Sequence, residues 1–169
     1  LSHKYYEGIV PTKTIEFVEL TEIKYFAKRI GDHLEKYEFR AALTEYMNLA
    51  RLGNQFLQAQ EPWKKGDDPE TVKGIMYTAT QIAAALGQLG EPFIPFASEK
   101  ILAMMNVEKM TWDDLESNDE FAKAGHQLGE SELIFAKIED EAIEAQINKL
   151  NESKVKNNMT NPNAEPQKE

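Results

Sequence analysis

Apolar residues recur every three or four positions at Phe17, Leu20, Ile23, Phe26/Ala27, Ile30 and Leu34, which predicts an amphipathic helix from about Phe17 to Glu35. A stronger pattern of the same period runs from about Glu38 to Gln60 through Phe39, Ala42/Leu43, Tyr46, Leu49/Ala50, Gly53 and Leu57. Pro62 ends it, because proline has no N–H to donate and its ring clashes with the preceding turn. Asp67-Asp68-Pro69-Glu70 then combines an N-cap with proline at the first helical position. It opens a third long helix through Val72, Ile75/Met76, Ala79, Ile82/Ala83 and Leu86 to Gly90, whose alanines suit close helix packing.

The remaining pattern is shorter-ranged. Leu1 to Glu7 reads as the tail of a helix, stopped by Gly8 and then Pro11, and Gly31 is expected to weaken the last turn of its helix. Glu91-Pro92-Phe93-Ile94-Pro95 is a connector, Phe96 to Asn106 a helix, and Thr111-Trp112-Asp113-Asp114-Leu115 caps one more turn. Asn118 to Glu132 is polar, irregular and broken by Gly125 and Gly129, as a loop returning across the bundle would be. Leu133 to about Lys156 predicts a charged final helix marked by Ile138, Ala142, Ile143 and Ile147. The fold expected over residues 1–156 is an all-α antiparallel helix bundle, with 157–169 as a polar linker or disordered tail.

Composition narrows the class. The 169 residues, 41% hydrophobic, allow one domain with a sizeable core. With no cysteine there is no disulfide framework, thiolate metal site or thiol nucleophile, and no apolar run nears the ~20 residues of a spanning helix. The expectation is a soluble, cytoplasmic protein without a membrane partner. Because the chain opens on Leu1 within helix-like residues, it reads as a piece of something longer. The net charge of −10 speaks against wrapping of a nucleic-acid duplex, but the charge is uneven. Residues 1–65 hold 10 Lys and Arg against 9 Asp and Glu, and residues 66–169 hold 9 against 20. A small RNA contact from the first part is compatible with that balance.

Candidate chemistry is sparse. His3, His33 and His126 lie on separate elements with no ligand at metal spacing, and the Asp67-Asp68 and Asp113-Asp114 pairs stand where helices begin, where capping explains them. No phosphate loop or nucleophile elbow is present, so catalysis within these residues is not expected. The stretch Asn54 to Lys65 is different: Trp63 follows Pro62 at a helix end and is followed by Lys64 and Lys65, a flat ring beside two cations, as an unpaired base and its phosphate require. The structural alternatives are a tryptophan plugging the bundle, a solvated pair of lysines, and Asn54 as a buried amide on the stripe Leu43, Met47, Ala50, Asn54, Leu57 that ties down the following turn. Trp112, in its acidic turn, is expected in the core.

Asn54-x-Phe56-Leu57-x-x-x-x-Pro62-Trp63-Lys64 resembles the anticodon-binding helix bundle of class I aminoacyl-tRNA synthetases. Lys4-Tyr5-Tyr6-Glu7-Gly8-Ile9-Val10-Pro11 is similar to the end of the first bundle helix of the methionyl members, and Glu91-Pro92-Phe93-Ile94-Pro95-Phe96 to their entry into a late helix. Gly125-His126 and Leu133-Ile134-Phe135-Ala136-Lys137-Ile138-Glu139 resemble the segment after which such chains run back towards the catalytic domain. The likeness spans about residues 1–152.

This resemblance implies a domain that reads the CAU anticodon for a methionine–tRNA ligase, which uses ATP and magnesium, with zinc where a zinc-bearing insertion is carried. By position it implies base contact at Trp63 posed by Pro62, cationic contacts from Lys4, Lys64 and Lys65, and a scaffold role for Asn54. Two further readers, an Asn and an Arg, would lie before Leu1 on a truncated first helix. No cofactor is implied for this piece itself. The implied partners are the methionine tRNA, the protein's own catalytic domain, on which the final helix would dock, and a second copy joined through an appended C-terminal domain. The alternatives are the anticodon domain of a valyl or cysteinyl synthetase, or a helical protein-interaction module without an RNA role, which the charge of −10 would suit.

Overall fold

The computed structural model describes residues 2–118 and 120–160. Among them are seven α-helices: α1 (Ser2–Tyr6), α2 (Val18–Glu35), α3 (Phe39–Gln60), α4 (Pro69–Leu89), α5 (Pro95–Met105), α6 (Trp112–Ser117) and α7 (Asp140–Thr160). A single 3-10 turn, Pro62–Lys64, links α3 to α4. The all-α bundle expected from the periodicity is the observed class. The chain divides into two compact units, Leu1–Ile134 and Phe135–Glu169.

In the first unit α4 is the central helix, packing against α2, α3 and α5. It is buried on nearly every side, from Val72 through Ile75, Tyr77, Ile82 and Ala85 to Leu89. α2 contributes Ile23, Phe26, Ala27 and Ile30, and α3 contributes Ala42, Tyr46, Leu49 and Phe56, each set at the three- and four-residue spacing of one helix face. Gly53 lies on that α3 face, where a Cβ would stand 2.9 Å from Ile82 Cγ2, so α3 and α4 approach closely there.

The helix starts and stops follow local chemistry. Asp68 caps α4, its carboxylate accepting from Thr71 N at 3.1 Å and from Thr71 Oγ1 at 2.6 Å. Thr111 and Asp114 form a reciprocal capping box at α6. Both acidic pairs thus contain a capping residue, as expected. α1 ends before Gly8, whose φ of +78° lets the chain turn under His3 and Gln127.

Three expectations are corrected. Gly31 does not merely weaken α2: it is buried, and a side chain there would collide with the Trp112 indole, so the missing Cβ is what lets α6 seat its tryptophan against α2. Phe39 is exposed rather than core. The final helix begins at Asp140, not Leu133. Leu133, Ile134 and Phe135 are consecutive apolar residues that no single helix face can collect, whereas Asp140 and Glu141 suit the positive end of a helix and Ala142 N donates to Glu139 O at 3.0 Å.

The loop reading holds for the described residues of 118–132, and a buried amide pins them. Gln81, fully buried on α4, donates through Nε2 to Ala122 O at 2.6 Å and accepts through Oε1 from Phe121 N and Ala122 N at 2.7 and 3.1 Å. Gln88 does the same for the connector between α5 and α6, donating to Glu108 O and accepting from Met110 N. The loop also pairs with the first segment, Val10 N donating to His126 O and Leu128 N to Gly8 O.

The second unit contains α7, whose Ile143, Ile147 and Leu150 share one face and are about half exposed. α7 continues through Thr160, into the stretch expected as a polar linker; the remainder of that stretch, 161–169, lies outside the described residues.

Candidate nucleic-acid interface

The end of α3 is built by two anchors. Phe56 is buried, and its ring meets Phe17 edge-on with centroids 5.1 Å apart, which fixes the last turns of α3 to the start of α2. Pro62, also buried, anchors the 3-10 turn that packs against α4. Between them Glu61 adopts the left-handed conformation, φ 43° and ψ 56°, which costs a residue with a side chain roughly 1–2 kcal/mol. Its N–H donates to Leu57 O at 3.0 Å, closing α3, and its carbonyl accepts from Lys64 N at 2.8 Å, opening the turn.

The consequence falls on Trp63. With the preceding proline held inside, the indole turns outward and is 49% exposed. A tryptophan plugging the core is therefore not what the fold contains. Half of a large aromatic surface is left in water beside two lysines, an arrangement suited to stacking a planar group next to an anion.

The lysines are engaged by the protein itself. Lys64 Nζ pairs with Glu61 Oε1 at 2.7 Å, and Lys65 Nζ donates to Gln60 Oε1 at 3.2 Å, so both fold back on the negative end of α3. Gln60 and Glu61 were not among the residues singled out from the sequence. The i,i+3 spacing of Glu61 and Lys64, with Pro62 forcing the helix to end at once, is the signal that could have found them.

Asn54 departs from its expected place. It is exposed and makes no hydrogen bond through its side chain among the described residues, so it is not a buried amide tying down the turn. The reason is the facing of α3: the core takes Ala42, Tyr46, Leu49 and Phe56, which leaves Leu43, Met47 and Asn54 on an outer face. Asn54, Gln58 and Glu61 follow at i, i+4 and i+7, so that face leads to the Trp63 turn over roughly 10 Å.

Lys4 stands apart from this group, on α1, with its ammonium 5.4 Å from the Tyr5 ring centroid. Tyr6 nearby is held above the ordinary tyrosine value, by burial first and also by the carboxylate of Glu70, against the opposing pull of Lys73. Those two residues belong to the first turns of α4, so α1 reaches the end of α4 that follows the 3-10 turn.

The other candidates are structural ties. His3 Nε2 contacts Gly129 O, His33 Nδ1 meets Glu38 Oε2 at 2.6 Å, and His126 Nε2 contacts Met105 O. Among the described residues no group of three or more His, Asp or Glu is placed to hold a metal ion. Nor is any described helix long and apolar enough to cross a membrane. Trp112 is packed against the core, as expected.

Comparison with known proteins places these features in a family. Residues 13–154 match the family described as the anticodon binding domain of methionyl tRNA ligase. The methionine–tRNA ligase of Flavobacterium psychrophilum is 49% identical over the whole of this chain, which covers 26% of that relative. Those of Flavobacterium johnsoniae and Parabacteroides distasonis are 42% and 45% identical, with 28% and 26% of their lengths covered. The chain thus spans about a quarter of the relatives it matches. The methionyl-tRNA synthetase of Mycobacterium tuberculosis in its free state shares the fold, with a TM-score of 0.69 at 16% identity over 82% of this chain and 29% of its own. The same enzyme in complex with methionyl-adenylate superposes with a TM-score of 0.63. The valyl, cysteinyl and protein-interaction alternatives give way to these matches. The chain belongs to the family of anticodon-binding domains of methionyl-tRNA ligase.

Proposed function

We propose that this domain reads the CAU anticodon of the methionine tRNA by stacking an unpaired base on Trp63, within a cytoplasmic ligase that joins methionine to that tRNA using ATP. The observation that carries the reading is the half-exposed indole set outward by a buried proline at a lysine-bearing helix end. Lys64 and Lys65 supply the positive charge for the adjoining phosphates, Lys4 adds a cation from α1, and exposed Asn54 offers both an amide donor and an acceptor along the face leading to the turn. Asn54 is therefore assigned to the RNA surface rather than to the scaffold.

The chemistry of methionine activation belongs to the rest of the ligase, whose relatives are about four times the length of this chain. The half-exposed stripe Ile143, Ile147 and Leu150 on α7 is the surface we assign to the catalytic domain. A second copy would be joined through an appended C-terminal domain.

The experiment uses the full-length ligase. Trp63→Ala should lower methionylation of the methionine tRNA about ten- to a hundredfold, the worth of one stacked base, while methionine-dependent pyrophosphate exchange persists. Equal loss of both activities would show Trp63 to be a structural residue.

A further inference from the structure

We infer that His3 and Gln127 are positioning residues of this RNA surface: together they clasp α1 to the returning loop and so hold Lys4 outward. The inference rests on Lys4 being the RNA contact proposed above. α1 has only five residues and none of them is buried, so neither helix propagation nor core packing fixes where it stands. What holds it is hydrogen bonding to residues 126–129. Beyond its end, Val10 N donates to His126 O at 2.9 Å and Leu128 N to Gly8 O at 2.8 Å. Closer to the helix the ties are side chains. Gln127 Nε2 donates to the Glu7 carbonyl at 3.2 Å, and His3 Nε2, which carries the proton when it faces a carbonyl, lies 3.0 Å from Gly129 O. Both side chains pass over Gly8, where a Cβ would stand 2.8 Å from each.

The loop is in turn fixed to the end of α5. Asn106 Nδ2 donates to Gln127 O at 2.9 Å, Gly129 N to Met104 O at 2.9 Å, and His126 Nε2 meets Met105 O at 3.1 Å. The position of α1 is therefore set relative to α5, and through α5 to the central α4. Facing follows from helical geometry. His3 and Tyr6, three residues apart, share one side of α1, His3 reaching the loop and Tyr6 the charges of Glu70 and Lys73 on α4. Lys4 comes about 100° further round than His3, so with both inner residues engaged it is left exposed. Without the clasp, RNA binding would first have to order α1, and that entropy would be taken from the affinity.

The test titrates the full-length ligase with a labelled tRNA bearing the CAU anticodon, from about 50 to about 200 mM salt. His3→Ala combined with Gln127→Ala should weaken binding about two- to fivefold, the range of one exposed cationic contact, and flatten the slope of log affinity against log salt by up to about 0.7. Lys4→Ala should do the same. Added to Lys4→Ala, the two clasp changes should weaken binding no further, a result that general loosening of the bundle would not give. His3→Gln, which keeps an N–H within reach of Gly129 O, should bind as the unaltered ligase does. Pyrophosphate exchange and the unfolding midpoint should stay as they are, since both clasp side chains are exposed. Unchanged affinity in the double variant, a further loss when it is added to Lys4→Ala, or a parallel loss of pyrophosphate exchange would overturn the positioning role. Should Lys4→Ala alone leave binding unchanged, α1 is no part of the RNA surface and the inference falls with it, while Trp63→Ala tests the stacked base independently.

Discussion

Gln81 and Ala122 are joined through both ends of one amide: Nε2 donates to the Ala122 carbonyl at 2.6 Å and Oε1 accepts from its N–H at 3.1 Å. The glutamine thus replaces water for a loop that returns over the central helix. Gln81→Leu keeps the bulk and strands the carbonyl together with the N–H groups of Phe121 and Ala122. The expected loss is about 3 kcal/mol in urea unfolding, because buried polar groups left unpaired carry their full desolvation cost.

Gly31 faces the indole of Trp112 with no room for a Cβ. Gly31→Ala should destabilise the bundle by about 1–3 kcal/mol despite alanine's better helix propensity, since a rigid ring must shift. In a Trp112→Leu background the same change should cost less, which a double-mutant cycle in thermal unfolding measures.

Glu61 offers a test of opposite sign. Glu61→Gly relieves the left-handed backbone and gives up only an exposed ion pair, so the domain should gain about 1 kcal/mol. The measurement is a shift of the unfolding midpoint to higher urea.

Tyr77 is buried and donates its hydroxyl to Glu120 Oε1 at 2.9 Å. Burial first, and then the hydrogen bond and charge of Glu120, push its phenol far above the ordinary value of 10.0. Below pH 10 the phenol is neutral in both folded and unfolded chains and its contribution to stability is complete. Above pH 10 the unfolded chain ionises while the folded one does not, so stability falls as pH rises. Absorbance titration should show Tyr77 ionising together with loss of helical signal, and Tyr77→Phe should flatten the alkaline decline.

Asp68 acts at the other end of the pH scale. Its hydrogen bonds from the Thr71 hydroxyl and N–H hold the carboxyl below its ordinary value of 3.8. The contribution is complete above that value and lost as pH falls through the lowered folded value, so Asp68→Asn should reduce the acid sensitivity of thermal unfolding. A melting series between neutral pH and the acid range checks the sign.

Much of this architecture was legible along the chain because its signals are local. Pro62 stops α3, Asp68 and Thr111 cap their helices, and Gly8 turns the chain within a few residues of the groups they act on. The aromatic and cationic residues of the candidate site were likewise visible as a run, Pro62 to Lys65, and the family resemblance rested on such runs.

What the run could not supply was facing. α3 carries two adjacent apolar stripes, Ala42-Tyr46-Leu49 and Leu43-Met47-Ala50, and helical period favours neither. Packing against α2 and α4 chose the first, and that choice moved Asn54 from scaffold to surface. Gly31 and Trp112 meet through helix docking, and Gln81 and Ala122 through a returning loop; neither partnership has a signature within a local window. The stretch Leu133–Glu139 remained outside a helix because its apolar residues are consecutive rather than periodic. Short-range patterns therefore set which segments become helices and where they end, since capping and helical hydrogen bonds act within a turn. Which side chains face water, including the indole of Trp63 and the lysines folded back on the end of α3, followed from how the helices bury one another, since burial is a property of the whole assembly.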